Sequence, residues 1–419
     1  MVIVYCKWDD APIREFLDRS ARLILILDKS DVTWEEIPRD LLEQMERVYR
    51  VDSTDSIDQM NAIAVDLEMS GVSVDRVIAS HEQAQYGAAL IAHRLGLEEG
   101  AIGTTTGARD KRLMKARVRT SGVSTARFAT ISDVSDLERI EEIAKEIGFP
   151  AVVKPVSGVA SIATTRVHNL TQLREVVGGH AEDYTIPWSR QLIVEESIAG
   201  DEYHVDAVWR DGEPWVFSIN KYFGPRLTLN EGEPLNGAYA LAESDYPEFY
   251  ARTRQLHDKV NTALGIRRGI THLEMFHDPA SQELYFSEIA TRPGGSCVPE
   301  AAGAKYGPDL YEIWAEETVD GAREKLRWQA AEFSYTGWLN ISPKSSGIIS
   351  HIPSFDDLLA HPNILGVKCT RTVGSRITLA HPSVWCLMLI IGANTEDDIV
   401  RLAQDLNDKI TVEVTPFPA

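Results

Sequence analysis

The sequence predicts a protein of mixed class, α/β and α+β, and three observations lead to this prediction. Over residues 1–104, short apolar runs alternate with polar helical segments, which is typical of a parallel α/β sheet. Over residues 105–190, a basic helix precedes a small unit that combines strands with one amphipathic helix. Over residues 191–419, strands follow one another through turns, as in an antiparallel sheet. We take these ranges as three predicted domains, since roughly 150 residues form a typical domain.

The charge and the cysteines narrow the class of protein. The 419 residues carry a net charge of −21, which disfavours nucleic-acid binding because phosphate backbones need a basic surface. The four cysteines form no CxxC pair, so they indicate neither a disulfide framework nor a zinc site, and we interpret Cys297 as a packing residue. The sequence does not open with the pattern of a signal peptide, and its apolar runs are too short for a membrane span. We therefore expect a cytoplasmic protein with reduced thiols.

The first predicted sheet is followed by two helices. Ser80 after the fourth strand is positioned to cap a helix, and Glu82 in its first turn either contacts a substrate or stabilises the positive end of the helix. No GxGxxG follows the first strand, so a dinucleotide site is not predicted. Residues 103–107 (GTTTG) are predicted to form a loop. The next helix carries Lys111 and Lys115 on one face, which we interpret as solvated surface.

The central unit holds a lysine inside an apolar strand. Lys154 follows two valines and precedes a proline, where an ammonium without a partner is unfavourable. The loop that follows contains Ser157, Gly158 and Ser161, whose N–H and hydroxyl groups can donate to a polyphosphate. It is not a Walker A loop, since GxxxxGK[ST] is absent. The alternative is a β-hairpin whose lysine extends to solvent.

Three acids surround the next predicted bend: Glu195, Glu196 and Glu202. Because neighbouring carboxylates repel each other, we expect hydrogen-bond donors or a metal ion among them. The stretch at 222–239 is rich in Gly and Pro and is long for a loop inside a domain, which is typical of a lid. We expect this stretch and residues 296–306 to line the substrate pockets.

The segment HLEMFHDPASQELYFSEIATRPGG predicts two strands joined by a turn at Asp-Pro. Glu274 lies on the first strand and Glu288 on the second, where alternation should place it on one face with Leu284 and Phe286. No lysine is near either acid in the sequence, so two half-buried carboxylates predict a bound cation such as Mg²⁺. Arg292 and the Pro-Gly-Gly after it add a fixed cation and exposed N–H groups. The alternative is a solvent-exposed edge hairpin.

In this order, the motifs resemble those of the ATP-grasp family of carboxylate–amine ligases, and most closely its branch of L-amino acid ligases. The matching motifs are DK at 110–111, FPAVVKP at 149–155, VEESIAGDEYHVD at 194–206 and HLEMF…FSEIATRPGG at 272–295. The resemblance covers nearly the whole chain. It implies the ATP-grasp architecture, with an N-terminal parallel α/β domain, a small α+β lid and a C-terminal antiparallel-sheet domain. It also implies ATP and one or two Mg²⁺ ions, for which Mn²⁺ could substitute.

The resemblance assigns a role to each motif residue. The residues implied to bind ATP are Lys111, Lys154, Ser157, Gly158, Ser161, Glu195, Glu196, Ile198 and Glu202. The lysines would contact the phosphates and the N7 side of adenine, the hinge at 195–198 would read the base, and Glu202 would bind the ribose. The residues implied to hold Mg²⁺ are Glu274 and Glu288. The residues implied to bind substrate are Glu82, Lys221, Arg292, Gly294 and Gly295, and Lys154 and Arg292 are the implied catalytic residues.

The implied reaction joins a carboxylate to an amine. The γ-phosphoryl group of ATP would pass to the carboxylate of an amino acid, and the amine of a second amino acid would attack the acyl phosphate. The products would be an amide, ADP and phosphate, and a closing lid would exclude water from the intermediate. Lys221 and His204 are candidates for a general base. The family also implies a homodimer.

One position departs from the family pattern. Ala290 stands where many members have a metal-binding Asn, so the number of metal ions stays open. Two alternatives to the amino acid ligase remain: a bicarbonate-using ATP-grasp carboxylase, which would share every motif, and an inactive nucleotide-binding regulator. Ala290 is the only sequence feature that favours the regulator.

Overall fold

The computed structural model describes residues 1–34, 37–97, 100–182, 190–227, 235–379 and 384–417. Within these ranges the strands form four sheets. The sheet nearest the N-terminus is parallel, and the later ones are antiparallel, so the predicted α/β and α+β class is confirmed. No helix in the same ranges is both long and apolar enough to cross a membrane.

The N-terminal sheet has helices on both faces. Its elements are β1 (Val2–Cys6), α1 (Asp10–Asp18), β2 (Arg22–Asp28), α2 (Lys29–Trp34), α3 (Arg39–Leu42), β3 (Arg47–Val51), α4 (Ile57–Met69), β4 (Arg76–Ala79) and α5 (Gln85–Arg94). The strand order is β3-β2-β1-β4, and every pair is parallel. Ile3 and Tyr5 pack into one apolar cluster, and Val4 and Cys6 pack into another on the opposite face. Helix α5 begins at Gln85, after a short 3₁₀ turn that contains Glu82, so Ser80 does not cap it.

The predicted loop at 103–107 is wrong, because these residues lie in helix α6 (Ile102–Arg109). Helix α7 (Lys111–Thr120) follows after Asp110, whose carboxylate accepts the N–H groups at its first turn. A Cβ at Gly107 would lie only 2.7 Å from Arg117 Nη1, so this glycine allows α6 and α7 to pack closely. Tertiary packing therefore overrides the low helix propensity of Gly and Thr.

A small antiparallel sheet follows. Its elements are β5 (Phe128–Ile131), α8 (Leu137–Ile147), β6 (Ala151–Pro155), β7 (Thr165–Val167), α9 (Leu170–Glu182) and β8 (Leu192–Glu196). The strand order is β5-β8-β6-β7, and α8 and α9 pack on it through residues such as Ile140 and Leu173. Strand β8 pairs with β5 and β6, although the predicted third domain begins at residue 191. We therefore propose that the boundary follows Glu196.

The remaining chain forms a large antiparallel sheet and a small one beside it. Its elements are β9 (Asp201–Arg210), β10 (Glu213–Tyr222), β11 (Asn236–Ala240), α10 (Pro247–Leu264), β12 (Gly269–His277), β13 (Leu284–Ala290), α11 (Val298–Tyr306), α12 (Leu310–Val319), β14 (Tyr335–Ile341), β15 (Gly347–His351), α13 (Phe355–Leu359), β16 (Ile364–Cys369), β17 (Arg376–Ile377), β18 (Leu387–Ala393), α14 (Glu396–Lys409) and β19 (Glu413–Thr415). The large sheet has the order β13-β12-β9-β10-β11-β14-β18-β16, and the small one is β17-β15-β19. Apolar clusters cover both faces of the large sheet, which makes it a rigid support for the side chains described next.

Candidate active site

Two carboxylates face each other on the edge hairpin β12–β13. Glu274 is the register partner of Glu288, so both side chains leave the same face of the sheet. The next register pair joins Met275 to Phe286, which makes Ser287 an extra residue, as in a β-bulge. The alternation predicted from Phe286 to Glu288 is therefore interrupted at Ser287. The bulge leaves the two acids opposite each other, as the metal-site prediction required.

The expectation that no lysine accompanies these acids is wrong. Lys111 Nζ lies 3.2 Å from Glu288 Oε2, and Lys154 Nζ lies 3.8 Å from the same atom. Although burial opposes it, these two lysines lower the pKa of Glu288 to about 2. They come from α7 and β6, which are remote in sequence from the hairpin, so local sequence could not reveal them.

A third lysine of this cluster, Lys115, was predicted to be solvated and is instead completely buried. Its Nζ lies 3.3 Å from Glu195 Oε1, and Lys154 Nζ lies 3.3 Å from Glu195 Oε2. Burial lowers the pKa of Lys115 to about 8, although Glu195 opposes the shift. Burial also acts to lower the pKa of Lys154, but Glu195 and Glu288 outweigh it and the net pKa is raised. The i, i+4 spacing from Lys111 is the signal that could have identified Lys115.

The acids around the bend after β8 each have their own donor, as we expected. Glu196 accepts hydrogen bonds from the backbone N–H and the Nε of Arg127, at 2.8 and 2.6 Å. Glu202 accepts the backbone N–H of Arg226 at 2.7 Å. Burial, followed by repulsion from Glu274, raises the pKa of Glu202 to about 7. Glu202 therefore takes up a proton far more readily than an exposed glutamate.

Two cavities meet at the paired acids. The first, of about 390 Å³, lies between the sheet β5-β8-β6-β7 and the hairpin β12–β13. Its walls include Lys111, Lys115, Lys154, Gly158, Ser161, Glu195, Glu196, Ile198 and Glu202. Thus all but Ser157 of the residues predicted to bind ATP reach this cavity. The second cavity, of about 610 Å³, extends toward the N-terminal sheet, and both cavities are lined by Lys111, Ser161, Glu274 and Glu288.

Glu82 and Arg292 line the second cavity, and Arg109, which does not line it, also contacts Glu82. Nε and Nη2 of Arg292 lie 3.2 and 2.8 Å from Glu82 Oε2, and Arg109 Nη1 contacts Glu82 Oε1. Although burial opposes it, Arg292 and Arg109 lower the pKa of Glu82. Arg109 also donates to the carbonyl of Ser157 at 2.8 Å. Glu82 therefore fixes the guanidinium of Arg292, and Arg109 connects the same carboxylate to the loop at 157–161.

The Pro-Gly-Gly turn packs closely on a buried polar cluster that we did not predict. A Cβ at Gly294 would lie 2.8 Å from Asp206 Oδ1 and 3.0 Å from His272 Nδ1. Asp206 accepts from His272 Nδ1 at 2.8 Å and from His204 Nδ1 at 2.6 Å. Although burial opposes it, Asp206 raises the pKa of His272 to about 9. His272 lines the second cavity, and its two-residue spacing from Glu274 is the signal that could have identified it.

Three predicted site residues lie away from the cavities. Lys221 pairs with Asp201 at 2.9 Å and lines neither cavity, because alternation on β10 turns it away while Tyr222 faces inward. His204 is enclosed by Asp206 and neighbouring rings and also lines neither cavity. The structure thus gives no support to Lys221 in substrate binding or to either residue as a general base, and these roles stay predictions. Ser157 contributes its carbonyl to Arg109, and its side chain lines neither cavity.

The remaining predicted segments reach the cavities in part. Gly294, Gly295, Ser296 and Val298 line the second cavity, whereas most of 296–306 forms helix α11. Residues 225–227 line the first cavity, and 228–234 lie outside the described residues. Cys297 is completely buried with its Sγ 3.9 Å from Met388 Sδ, as expected of a packing residue.

The donor set at the junction of the cavities fits a hard divalent cation. Glu274 and Glu288 offer oxygen ligands from facing strands, and the hydroxyl of Tyr222 lies 3.4 Å from Glu274 Oε1. His204, Asp206 and His272 are also close enough to hold a metal ion. Their hydrogen bonds, however, already occupy both oxygens of Asp206, so we assign that cluster to hydrogen bonding. Glu274 and Glu288 are thus the residues that could hold Mg²⁺.

The order of the sheets and the junction of a lysine-rich cavity with two facing acids are those of an ATP-grasp fold. Residues 147–300 match the family described as the ATP-grasp domain. It superposes on a crystal structure of L-amino acid ligase from Bacillus licheniformis with a TM-score of 0.77 and 18% identity, over 99% of both chains. The ATP-grasp architecture implied by the motifs is thereby confirmed.

Two relatives by sequence are both ligases of amino acids. The L-arginine-specific L-amino acid ligase of Bacillus subtilis is 26% identical over 268 residues, which cover 64% of this chain and 63% of the relative. The D-alanine–D-alanine ligase of Xanthomonas axonopodis pv. citri is 30% identical over 184 residues, which cover 43% of this chain and 55% of the relative. Each match thus spans less than two thirds of the relative's length.

Proposed function

We propose that this protein is an ATP-dependent carboxylate–amine ligase whose substrates are amino acids. The observation that carries the proposal is the junction of the two cavities at Glu274 and Glu288, where Lys111 lines both cavities and Arg292 lines the second. A nucleotide in the first cavity would direct its terminal phosphate toward this junction. A carboxylate in the second cavity would reach the same point from the other side.

The first step transfers the γ-phosphoryl group of ATP to the substrate carboxylate and releases ADP. Two anions must approach each other, so their repulsion has to be offset by fixed positive charge. Lys111 and Lys154 supply this charge on the nucleotide side, and Arg292 supplies it on the carboxylate side. Mg²⁺ held by Glu274 and Glu288 would add Lewis-acid neutralisation of the phosphate oxygens. Glu82 orients Arg292, since it accepts hydrogen bonds from two guanidinium nitrogens.

The second step forms the amide bond. The amine of the second substrate attacks the acyl carbon, the C–O bond to phosphate breaks, and inorganic phosphate leaves with the electron pair and takes up the proton that the amine nitrogen loses. Gly294 and Gly295 line the second cavity beside Arg292, and the absence of a Cβ lets this turn pack directly on Asp206 and Trp385. The loop at 157–161 closes over the phosphates through the backbone of Gly158 and the hydroxyl of Ser161. Water is thereby kept from the acyl phosphate.

The far end of the first cavity fits the rest of the nucleotide. Glu195 is turned inward to Lys115 and Lys154, so the base is read by the backbone of the hinge near Glu196 and Ile198. Glu202 lies at the cavity wall and would accept the ribose hydroxyls. Ala290 offers no metal ligand, so we assign coordination to Glu274, Glu288, water and phosphate.

The proposal is tested by incubating the protein with Mg-ATP and single or paired amino acids, with phosphate release and product mass as readouts. The expected result is phosphate release that depends on amino acids, together with a product of the mass of an amide. Bicarbonate in place of the amino acids tests the carboxylase alternative. Phosphate release with bicarbonate alone, or none with any amino acid, would contradict the proposal. The matched control is Glu288→Gln, which should lose most of this phosphate release. The molecular mass of the wild-type protein in solution tests the predicted homodimer.

A further inference from the structure

Several aromatic residues belong to the lining of the second cavity. Indole rings of Trp8, Trp338 and Trp385 line it, and Tyr311 adds a phenol ring. These residues come from four separate parts of the chain, so the fold brings them together around one space. Trp8 and Trp338 are only 2% and 5% exposed, which means that their rings are held by packing and present a fixed surface.

The aromatic surface begins beside the proposed reacting centre. A Cβ at Gly295 would lie 2.7 Å from Cη2 of Trp385, so the ring lies directly against the backbone of the Pro-Gly-Gly turn. Gly295 is three residues after Arg292, which lines the same cavity. The backbone carbonyl of Trp385 accepts a hydrogen bond from Thr370 Oγ1 at 2.8 Å. A substrate whose carboxylate is held at Arg292 therefore has an aromatic wall next to its side chain.

Several charged groups of this cavity have partners in the protein. Asp10 pairs with Arg14 at 2.9 Å, and Lys368 pairs with Glu300 at 2.7 Å. Glu82 is held by Arg292 and Arg109. An aromatic side chain at the indole rings would gain ring–ring contacts in place of water.

We propose that one of the two substrates is an amino acid with an aromatic side chain, bound against Trp338 and Trp385. This inference rests on the proposed ligase function, because it takes Arg292 as the site of the substrate carboxylate. It separates this protein from the Bacillus subtilis relative that is named for L-arginine. Trp338 and Trp385 are specificity-determining residues in this assignment, and neither contacts ATP.

The test compares phenylalanine, tyrosine, alanine, arginine and glutamate as substrates of the wild-type protein. Phosphate release with Mg-ATP gives kcat/KM for each amino acid, with alanine as the common second substrate. A hydrophobic pocket discriminates by about 10–200-fold. We therefore expect kcat/KM for phenylalanine or tyrosine to exceed that for alanine, arginine and glutamate by at least about tenfold. A preference for arginine, glutamate or alanine would overturn the inference.

The variants Trp338→Leu and Trp385→Leu test whether these two indole rings contact the aromatic side chain of the substrate. We expect each to lower kcat/KM for phenylalanine by about tenfold or more, to change kcat/KM for alanine far less, and to leave KM for ATP unchanged. Equal losses for phenylalanine and alanine would contradict a role in specificity. The matched control is Trp328→Leu, because Trp328 lines neither cavity and donates its indole N–H to the carbonyl of Arg323.

Binding separates this inference from the proposed function. Calorimetry of phenylalanine and of arginine in the presence of Mg²⁺ and a non-hydrolysable ATP analogue needs no turnover. Tighter binding of phenylalanine, with no phosphate release from ATP, would refute the ligase and retain the aromatic pocket. Turnover with amino acids, together with tighter binding of arginine, would retain the ligase and refute the aromatic pocket.

Discussion

Lys115 Nζ lies 3.3 Å from Glu195 Oε1, and this ammonium is completely enclosed by protein. The other oxygen of Glu195 lies 3.3 Å from Lys154 Nζ. One buried carboxylate thus holds two ammonium groups, and only one of them, Lys154, also approaches Glu288. We infer that Glu195 and Lys115 position Lys154 for the phosphates of a nucleotide.

The charge state of Lys115 gives a prediction about stability and pH. Its folded pKa of about 8 lies below the unfolded value near 10.4, so between these values the unfolded chain binds more protons. Stability due to this group is therefore present above pH 10.4 and is lost as the pH falls toward 8. Raising the pH from 8.5 to 9.5 should stabilise the wild type by about 1 kcal/mol relative to Lys115→Met. Urea unfolding at both pH values measures this difference.

A surface lysine provides the control for that experiment. Lys409 is largely exposed on α14. The free energy of unfolding of Lys409→Met should therefore change with pH in parallel with that of the wild type. If the free energy of unfolding of Lys115→Met also changed in parallel with that of the wild type between pH 8.5 and 9.5, Lys115 would not titrate in this range. The inference that burial depresses its pKa would then be wrong.

Glu288→Gln should abolish most of the phosphoryl transfer. The amide keeps the size of the side chain but removes the charge that balances Lys111 and that we propose binds Mg²⁺. Loss of one electrostatic contact of this kind costs about 10²–10³-fold in kcat. Phosphate release with Mg-ATP and amino acids measures the loss. Glu283→Gln is the matched control, because Glu283 adjoins the turn of the same hairpin and pairs with Ser124. Full activity of Glu288→Gln would refute the site.

The sequence predicted the parts of this site that local pattern encodes. Glu274 and Glu288 lie on strands whose pairing follows from the turn between them, and Lys154 is conspicuous inside an apolar strand. Lys115 was misjudged because a basic stripe on a helix is normally solvated, and only the approach of β8 and β13 buries it. The face of the sheet that Lys221 occupies could not be predicted, because the loop next to it concealed where β10 ends.

The dependence on partners that are remote in sequence also explains the errors in the predicted secondary structure. Gly and Thr at 103–107 have weak helix propensity, and the contact of Gly107 with Arg117 that allows a helix is tertiary. The polar cluster of Asp206 and His272 joins neighbouring strands 66 residues apart, so its partners could be chosen only after strand order was known. Local composition determines an element, whereas its buried partners depend on topology.

Arg292→Lys should lower kcat far more than it raises KM for ATP. A lysine keeps the charge but loses the planar guanidinium that makes two contacts with Glu82 Oε2. Its ammonium would not hold the carboxylate in a fixed orientation. We expect a loss in kcat of about 10²-fold, as for the removal of one transition-state donor.

Glu82→Gln tests the same arrangement from the other side. The amide weakens the hold on Arg292 and Arg109 without removing the arginine, so we expect a smaller loss in kcat and the same KM for ATP. Steady-state kinetics with ATP as the varied substrate separates the two parameters. An increase in KM for ATP with unchanged kcat, in either variant, would place Arg292 in nucleotide binding instead.

Gly294→Ala should both destabilise the protein and reduce its activity. The added Cβ would approach Asp206 Oδ1 and Val298 Cγ1 to 2.8 Å, and these groups are fixed by the buried cluster and by α11. Overpacking of this kind costs about 1–3 kcal/mol. The turn can relieve the contact only by moving, which displaces Arg292 two residues earlier. We therefore expect a lower free energy of unfolding in urea and a lower kcat, with KM for ATP unchanged.

Gly178→Ala is the matched control for this glycine. Gly178 lies within α9, and a Cβ there would meet nothing within 4 Å. Because alanine favours a helix over glycine, this variant should be more stable than the wild type by about 0.5–1 kcal/mol, with normal activity. If Gly294→Ala were as stable and as active as Gly178→Ala, the Pro-Gly-Gly turn could not be packed on Asp206 as described. The connection from the buried cluster through the turn to Arg292 would then be broken, because it depends on the absence of a side chain at Gly294.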